Sequence, residues 1–214
     1  MKRPRVLLAD DHKIIVEGLR SLLQSEFELV GTVEDGRAMV AAAEKLKPDV
    51  IVADISMPLL NGIEAAHQLR KANVQAKIIF LTMHPDVTYA TRAFEAGASG
   101  YVLKHSAPSE LITAIKEALS GRTYVAPAIA KEVLHFIAKG SRERRKDVIE
   151  LTPRQREVLQ LLAEGHSAKK IASILHISTR TIEFHKYRMM ENLGLHTNAE
   201  LIQYAIKHGL ATVN

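Results

Sequence analysis

Five polar residues in the first half of the chain could together carry out phosphoryl-group chemistry. Asp10, Asp11, Asp54, Thr82 and Lys104 each lie at, or just past, the C-terminal end of a short apolar run. Neighbouring carboxylates repel one another unless one gains a proton or a divalent cation binds, and Mg²⁺ prefers such oxygen ligands. Asp54 could then be a nucleophile that forms an acyl phosphate, while the lysine and the hydroxyl bind phosphate oxygens. The alternative, a structural ion-pair cluster, explains any one residue better than it explains all five.

The apolar runs that precede these residues predict buried strands, because they are short and rich in Val, Ile and Leu. Strand-like runs lie near residues 5–9, 28–33, 49–53, 77–81 and 100–103, and helix-like stretches near 12–25, 36–46, 61–71, 87–96 and 108–119. Five such repeats predict an α/β domain with a doubly wound, five-stranded parallel sheet. The five polar side chains would then converge at one sheet edge, where open α/β sheets bind ligands.

The composition narrows the class of protein. The chain has 214 residues and no cysteine, which excludes a disulfide framework and a thiolate metal site. No apolar run approaches the ~18 residues of a membrane span, and the N-terminus does not resemble a signal peptide. We therefore expect a cytoplasmic protein with no membrane partner.

Charge is distributed unevenly along the chain. Residues 1–120 carry 14 Lys and Arg against 15 Asp and Glu, a net charge of −1, whereas residues 121–214 carry 15 against 9, a net charge of +6. This difference predicts two domains, the second with a polyanionic partner. The alternative is a solvated basic surface, which charge alone does not exclude.

The second half of the chain has helical periodicity. Thr152 and Pro153 predict a helix start, and further helices are expected from 167 to 175, 179 to 193 and about 198 to 208. Two short helices, a tight turn and a longer cationic helix are typical of a helix-turn-helix. We predict a first domain over 1–121, a linker with a short helix near 127–138 over 122–147, and a smaller all-α domain over 148–214.

Residues 1–120 resemble a response-regulator receiver domain. The resemblance is carried by residues 8–12, 54–58, 61–62, 81–82 and 97–104. It implies the flavodoxin-like strand order 2-1-3-4-5, and a phosphoryl group that passes to Asp54 from the phosphohistidine of a sensor histidine kinase.

The resemblance also implies a role for each pocket residue. It implies that Mg²⁺ is bound by Asp11, Asp54 and the backbone carbonyl of Ser56, with Asp10 assisting. It further implies a catalytic role for Lys104 and Thr82 beside the phosphoacceptor, and a switch pair formed by Thr82 and Tyr101. His84, near the pocket rim, is expected to be a solvated loop histidine rather than one that tunes acyl-phosphate hydrolysis.

Residues 151–205 resemble the four-helix DNA-binding domain of the LuxR type. The resemblance is carried by residues 151–154, 156–159, 165, 167, 171–172, 175, 177–178, 180–183, 185, 193–194 and 200–201. Together the two resemblances point to the NarL/FixJ response regulators. The chain departs from the LuxR pattern at Lys170, where the family usually has Glu, and at Asn192, where it usually has Lys, so affinity for DNA carries over better than a target sequence.

The third helix of this domain is the predicted DNA-reading element. Ile182, Met189 and Leu193 form its inward stripe, which leaves Phe184 and Tyr187 facing water among cations. Such aromatic residues could contact thymine methyls and base edges in the major groove. The alternative is an amphipathic helix of an interaction domain. The candidate DNA-binding residues are Lys169, Lys170, Ser178, Arg180, Thr181, Glu183, Phe184, His185, Lys186, Tyr187 and Arg188.

These features predict a two-component response regulator and transcription factor, not an enzyme. We expect it to bind double-stranded promoter DNA, and to form a homodimer when phosphorylated, with helix 198–208 as the dimer surface. Three alternatives remain: a Mg²⁺-dependent phosphohydrolase with Asp54 as nucleophile, a ligand-sensing LuxR-type regulator, and a receiver-based adaptor that binds no DNA.

Overall fold

The computed structural model describes residues 2–138 and 151–211. The chain divides into two compact units, one within Met1–Gly140 and the other within Ser141–Asn214. Each unit is described separately below.

The first unit is built on one parallel sheet with the order β2-β1-β3-β4-β5-β6. The strands are β1 (Arg5–Ala9), β2 (Glu28–Val33), β3 (Val50–Ala53), β4 (Lys77–Thr82), β5 (Gly100–Leu103) and β6 (Tyr124–Val125). The predicted doubly wound sheet and the order of its first five strands are therefore confirmed. The predicted number of strands was wrong, because β6 adds a sixth. With two half-buried residues just before Pro127, β6 lacks the apolar run that marks the other strands.

Helices cover both faces of this sheet. They are α1 (Lys13–Leu23), α2 (Gly36–Leu46), α3 (Gly62–Lys71), α4 (Val87–Glu95) and α5 (Ala107–Leu119). Successive strand residues point to opposite faces, so Leu7 and Ile51 pack with α2, α3 and α4, whereas Val6 and Val52 pack with α1 and α5. Because both faces are covered, the central strands β1, β3, β4 and β5 are mostly apolar and buried, as the sequence pattern predicted, whereas the edge strand β2 is only partly buried.

A further helix of the first unit, α6 (Pro127–Ala138), packs against α4. Its residues Ile129 and Val133 are buried in the same core cluster as Ala90 and Ala93 of α4. The predicted linker 122–147 therefore contributes to this core in its first part. Its remainder, from residue 139, lies outside the described residues.

The second unit consists of helices, as predicted. They are α7 (Pro153–Ala163), α8 (Ala168–Leu175), α9 (Thr179–Leu193) and α10 (Asn198–Lys207). Thr152 and Gln155 form the predicted capping box at the start of α7, and Gly194 ends α9 with φ +65°. Leu159, Ile171 and Leu201 are fully or almost fully buried in this unit. Within residues 2–138 and 151–211, no helix is long and apolar enough to span a membrane.

Candidate functional site

The polar residues predicted at the strand ends meet at the C-terminal edge of the sheet. Ala9 pairs with Ala53 across β1 and β3, and the Asp54 N–H donates to the Ala9 carbonyl at 2.8 Å. Thr82 is the last residue of β4 and pairs with Leu103, which directly precedes Lys104. The parallel register therefore places the residues that follow these strands side by side, as expected for such an edge.

Acidic groups form the centre of this pocket. Ligand atoms of Asp10, Asp11, His12 and Asp54 all lie within 4.8 Å of one another. Asp10 and Asp54 are only 3% and 4% exposed. Carboxylates this close and this buried need a compensating cation, since each would otherwise lose hydration without gaining a partner.

His12 is a pocket residue that the sequence analysis missed. Its Nδ1 lies 3.0 Å from Asp10 Oδ1 and 3.1 Å from Asp11 Oδ1, although its side chain is 58% exposed. A single histidine just before a helix gave no chemical signal in the sequence. The contact accompanies a local turn in which the His12 N–H also donates to Asp10 Oδ1 at 2.9 Å.

Lys104 supplies a cation from within the protein. Its Nζ lies 2.7 Å from Asp10 Oδ2 and 2.7 Å from Asp54 Oδ2, and the side chains of all three are 4% exposed. Burial by itself would favour the neutral amine, but the carboxylates of Asp54 and Asp10 outweigh it and raise the pKa of Lys104 above its ordinary value. Lys104 therefore remains a charged ammonium beside the most buried carboxylates of the pocket.

The same pocket fits a hard divalent cation. Its donors are mainly carboxylate oxygens, and the buried Asp11 Oδ1 lies 3.1 Å from His12 Nδ1 but accepts no well-aligned hydrogen bond from the described residues. Oxygen donors of this kind suit Mg²⁺, which keeps several waters and binds through one or two carboxylates together with phosphate oxygens. The residues present thus match the predicted ion.

A hydrogen-bonded network connects the pocket to the buried Tyr101. Thr82 and Tyr101 are both fully buried. The His84 N–H donates to Thr82 Oγ1 at 3.3 Å, and the Tyr101 hydroxyl donates to the His84 carbonyl at 2.7 Å. Burial raises the pKa of Tyr101 far above its ordinary value, so its hydroxyl remains protonated and can donate. One backbone residue, His84, therefore joins the two predicted switch residues.

The expectation that His84 is a solvated loop histidine was wrong. Its ring is half-buried, Nε2 lies 2.8 Å from Ser56 Oγ, and the ring stacks on Tyr89 with centroids 4.3 Å apart. Burial lowers the pKa of His84, partly offset by the Asp54 carboxylate. The sequence pattern could not predict that Tyr89, on α4, stacks against the imidazole of His84.

The outer face of α9 carries the predicted DNA-binding side chains. Ile182 and Met189 are fully buried and fix which face points inward, whereas Phe184 and Tyr187 are 55% and 64% exposed. The Ser178 hydroxyl caps the helix by accepting from the Thr181 N–H at 3.1 Å. These exposures confirm the prediction from helical periodicity that the aromatic residues lie on the outward face of a capped helix.

Charged groups surround these aromatic residues. Lys186 pairs with Glu183 at 3.0 Å, and Arg188 pairs with Glu191 at 3.0 Å. His185 is less exposed, and burial, with a smaller contribution from Arg154, lowers its pKa. The outward face therefore combines cations, carboxylates and apolar rings, unlike a uniformly solvated helix.

The neighbouring helices add further candidates. Lys169 and Lys170 are exposed in the first turn of α8, where Ser167 accepts from the Lys170 N–H at 3.3 Å. On α10, Leu201 and Ala205 are buried in the core, while Ile202 is half-buried and Ile206 is 38% exposed. One side of the predicted dimer helix therefore packs into the core of the second unit, and two isoleucines, Ile202 and Ile206, remain partly exposed.

The two units correspond to two known families. Residues 6–116 match the response regulator receiver domain, and residues 150–205 match the bacterial regulatory proteins of the luxR family. The chain is 33% identical to the transcriptional regulatory protein DegU of Brevibacillus brevis, over 98% of this chain and 95% of that protein. It is 31% identical to the response regulator UvrY of Escherichia coli strain K12, over 96% and 94% of the two chains.

Solved structures of a response regulator are also similar to this chain over nearly its whole length. The RcsB response regulator of Salmonella typhimurium is 29% identical with a TM-score of 0.66, over 97% of this chain and 99% of that one. A structure of two RcsB dimers bound to two parallel DNAs is 28% identical with a TM-score of 0.59, over 95% and 98% of the chains.

Proposed function

Because this chain belongs to the response regulators that join a receiver domain to a LuxR-family DNA-binding domain, we propose that it accepts a phosphoryl group on Asp54 and thereby controls DNA binding through α9. The family consists of regulators of transcription rather than enzymes, as the sequence predicted. The observation that carries the proposal is the pair of 2.7 Å contacts from Lys104 to Asp10 and Asp54, because they place a fixed positive charge beside the candidate acceptor.

The proposed reaction is a direct phosphoryl transfer. An Asp54 carboxylate oxygen attacks phosphorus, the bond from phosphorus to the donor nitrogen breaks, and the histidine of a sensor kinase keeps that electron pair. Lys104, which already contacts Asp54 Oδ2, neutralises charge on the phosphoryl oxygens, and the Thr82 hydroxyl donates to one of them.

Asp10, Asp11, Asp54 and the backbone carbonyl of Ser56 are the residues that we propose to hold Mg²⁺. When bound, the ion supplies further neutralisation of the phosphoryl charge. The Ser56 N–H lies 3.3 Å from Asp54 Oδ1, so the loop that would offer the carbonyl is already folded against the acceptor.

The proposed switch depends on the connection through His84. If the Thr82 hydroxyl turns to a phosphoryl oxygen, it leaves the bond from the His84 N–H, whose carbonyl accepts from Tyr101. Phosphorylation would thereby bias a two-state element that includes a buried aromatic ring.

The proposed output is a homodimer bound to double-stranded promoter DNA in the cytoplasm. Arg180, Lys186, Lys169 and Lys170 would mainly contact phosphates, and the other candidates on α9, Arg188 among them, would face the bases. Ile202 and Ile206 would contribute to a dimer surface on α10. Two-fold symmetry then predicts half-sites about one helical turn apart or at multiples of it.

The phosphoacceptor is tested by incubating Asp54→Ala with acetyl phosphate and Mg²⁺ and measuring intact mass. Wild type should gain one phosphoryl group and the variant none. Asp49→Ala, which removes an aspartate that directly precedes β3 at the opposite edge of the sheet, should still be phosphorylated. A phosphoryl mass gain in Asp54→Ala would place the acceptor elsewhere.

A further inference from the structure

Two neighbouring side chains on α9 form a pair that neither folding nor capping requires. The guanidinium carbon of Arg188 lies 5.5 Å from the centroid of the Phe184 ring, one helical turn away. Arg188 Nη1 also donates to Glu191 Oε2 at 3.0 Å. The guanidinium therefore contacts both a ring and a carboxylate, which limits its freedom before any ligand binds.

Stabilisation of the helix alone is a poor explanation of this arrangement. Pairs four residues apart contribute only about 0.2–0.5 kcal/mol to a helix, and Phe184 remains 55% exposed in spite of the contact. Several large apolar side chains are exposed in the described parts of the chain. Two of them are aromatic, Phe184 and Tyr187, and both lie on α9. An exposed ring among cations fits a ligand that offers both apolar groups and negative charge.

We infer that Phe184 and Arg188 act together to read two neighbouring base pairs, a T·A pair through the thymine methyl and a G·C pair through guanine O6 and N7. The inference rests on the proposed function of α9 and names the sequence element that this helix selects. Phe184 offers an apolar ring edge for the thymine C5-methyl, while Arg188 offers the two parallel N–H groups that match guanine.

The distance between the two groups explains why the base pairs are adjacent. Successive bases rise by about 3.4 Å along the duplex, so groups 5.5 Å apart on a helix that crosses the groove reach neighbouring pairs rather than distant ones. The carboxylates of Glu183 and Glu191 on the same face would be repelled by phosphates. Their presence favours a position of this face in the groove, with Arg188 directed to a base edge.

The pre-formed contacts give each residue a separate task. Phe184 would bind the methyl directly and also contacts the guanidinium, whereas Glu191 accepts a hydrogen bond from the guanidinium. A leucine at position 184 would keep an apolar contact but lose the ring that orients Arg188. Phe184→Leu should therefore retain part of the thymine preference and lose part of the guanine preference.

The test begins with selection from a randomised duplex DNA library, using the phosphorylated full chain. We expect the enriched half-site to contain a T·A pair beside a G·C pair. The enriched duplex is then synthesised with deoxyuridine in place of that thymine, which removes the methyl and no hydrogen-bonding group. Wild-type affinity should fall about fourfold, the equivalent of ~0.8 kcal/mol for one buried methyl.

The variants separate the two contacts. Phe184→Ala should bind the thymine and deoxyuridine duplexes equally, while Arg188→Lys should keep the fourfold difference and lose about tenfold of its discrimination for guanine. All three proteins should retain salt-dependent binding to an unrelated duplex. An equal deoxyuridine effect in wild type and Phe184→Ala would overturn the inference, while loss of all DNA binding by wild type would overturn the proposed function instead.

Discussion

The acidic pocket and the outer face of α9 hold their functional side chains by opposite physical means. In the pocket, Asp10, Asp54 and the Lys104 side chain are 3–4% exposed and directly follow β1, β3 and β5 of one sheet. On α9, Phe184 and Tyr187 are more than half exposed and depend only on helical periodicity for their direction. The side chains of the buried site are held in place by their contacts with one another, whereas the role of the exposed side chains of α9 depends on the ligand that they bind.

This contrast predicts different responses to the loss of one charge. Removal of a pocket cation leaves buried carboxylates without a compensating charge. Loss of one partner of a buried ion pair typically lowers the free energy of unfolding by about 3–5 kcal/mol. Removal of a cation on α9 leaves the fold unchanged and acts on binding alone. The predictions below test this difference, beginning with the largest effect.

Lys104→Met should lower the free energy of unfolding of the first unit by about 4 kcal/mol in the absence of divalent cations. The variant removes the ammonium that lies 2.7 Å from both Asp10 and Asp54. Addition of Mg²⁺ should restore part of the loss, because the ion can compensate the same carboxylates. Thermal unfolding with and without MgCl₂ measures both effects.

Lys116→Met is the matched control for that experiment. Lys116 pairs with Glu26 at 2.6 Å, but its side chain is 56% exposed. Its loss should cost less than about 1 kcal/mol and should not respond to Mg²⁺. Equal destabilisation by the two variants would contradict the idea that burial decides the energy of the pocket charges.

Gly62→Ala should destabilise the first unit by about 2–3 kcal/mol and slow phosphorylation of Asp54. A Cβ at position 62 would lie 2.2 Å from the Asp54 backbone carbonyl, so the loop that follows the acceptor must move. Chemical unfolding and the rate of mass gain with acetyl phosphate measure the two effects. Gly18→Ala serves as the control: a Cβ at this position in α1 would meet no atom within 4 Å, so the substitution should be neutral or slightly stabilising.

Arg180→Ala should leave unfolding unchanged and weaken DNA binding about tenfold for all sequences. Arg180 is exposed near the start of α9 and is one of the proposed phosphate contacts. Loss of one such contact should reduce the slope of log affinity against log salt by about 0.9. Lys71→Ala, which removes an exposed cation from α3 of the first unit, should leave the slope as it is. An unchanged slope in Arg180→Ala would remove this residue from the phosphate contacts.

The same contrast explains how far the sequence could be interpreted. Asp10, Asp54, Thr82 and Lys104 were predictable because each follows an apolar run, and a parallel sheet brings such positions together whatever the loops do. The strand β6 and the ring contacts of His84 were not predictable, since both depend on tertiary packing against Tyr101 and Tyr89. The outward face of α9 was predictable from periodicity, but the pairing of Arg188 with Phe184 required side-chain positions.

Gly194→Ala provides the smallest and most direct comparison of the two regions. Gly194 ends α9 with φ +65°, and nothing lies within 4 Å of a Cβ at this position, so the substitution costs only backbone strain. We expect a loss of about 1 kcal/mol in the unfolding of the second unit, and a smaller loss for Gly194→Asn, because asparagine adopts the left-handed conformation more readily. Unfolding by urea gives both values. A glycine substitution beside Asp54 should therefore cost more than one at the end of α9, since the first displaces a packed backbone and the second meets no neighbouring atom. If Gly194→Ala proved as destabilising as Gly62→Ala, the end of α9 would have to be as tightly packed as the pocket. That result would contradict the distinction between a site held by its own contacts and a site that depends on its ligand.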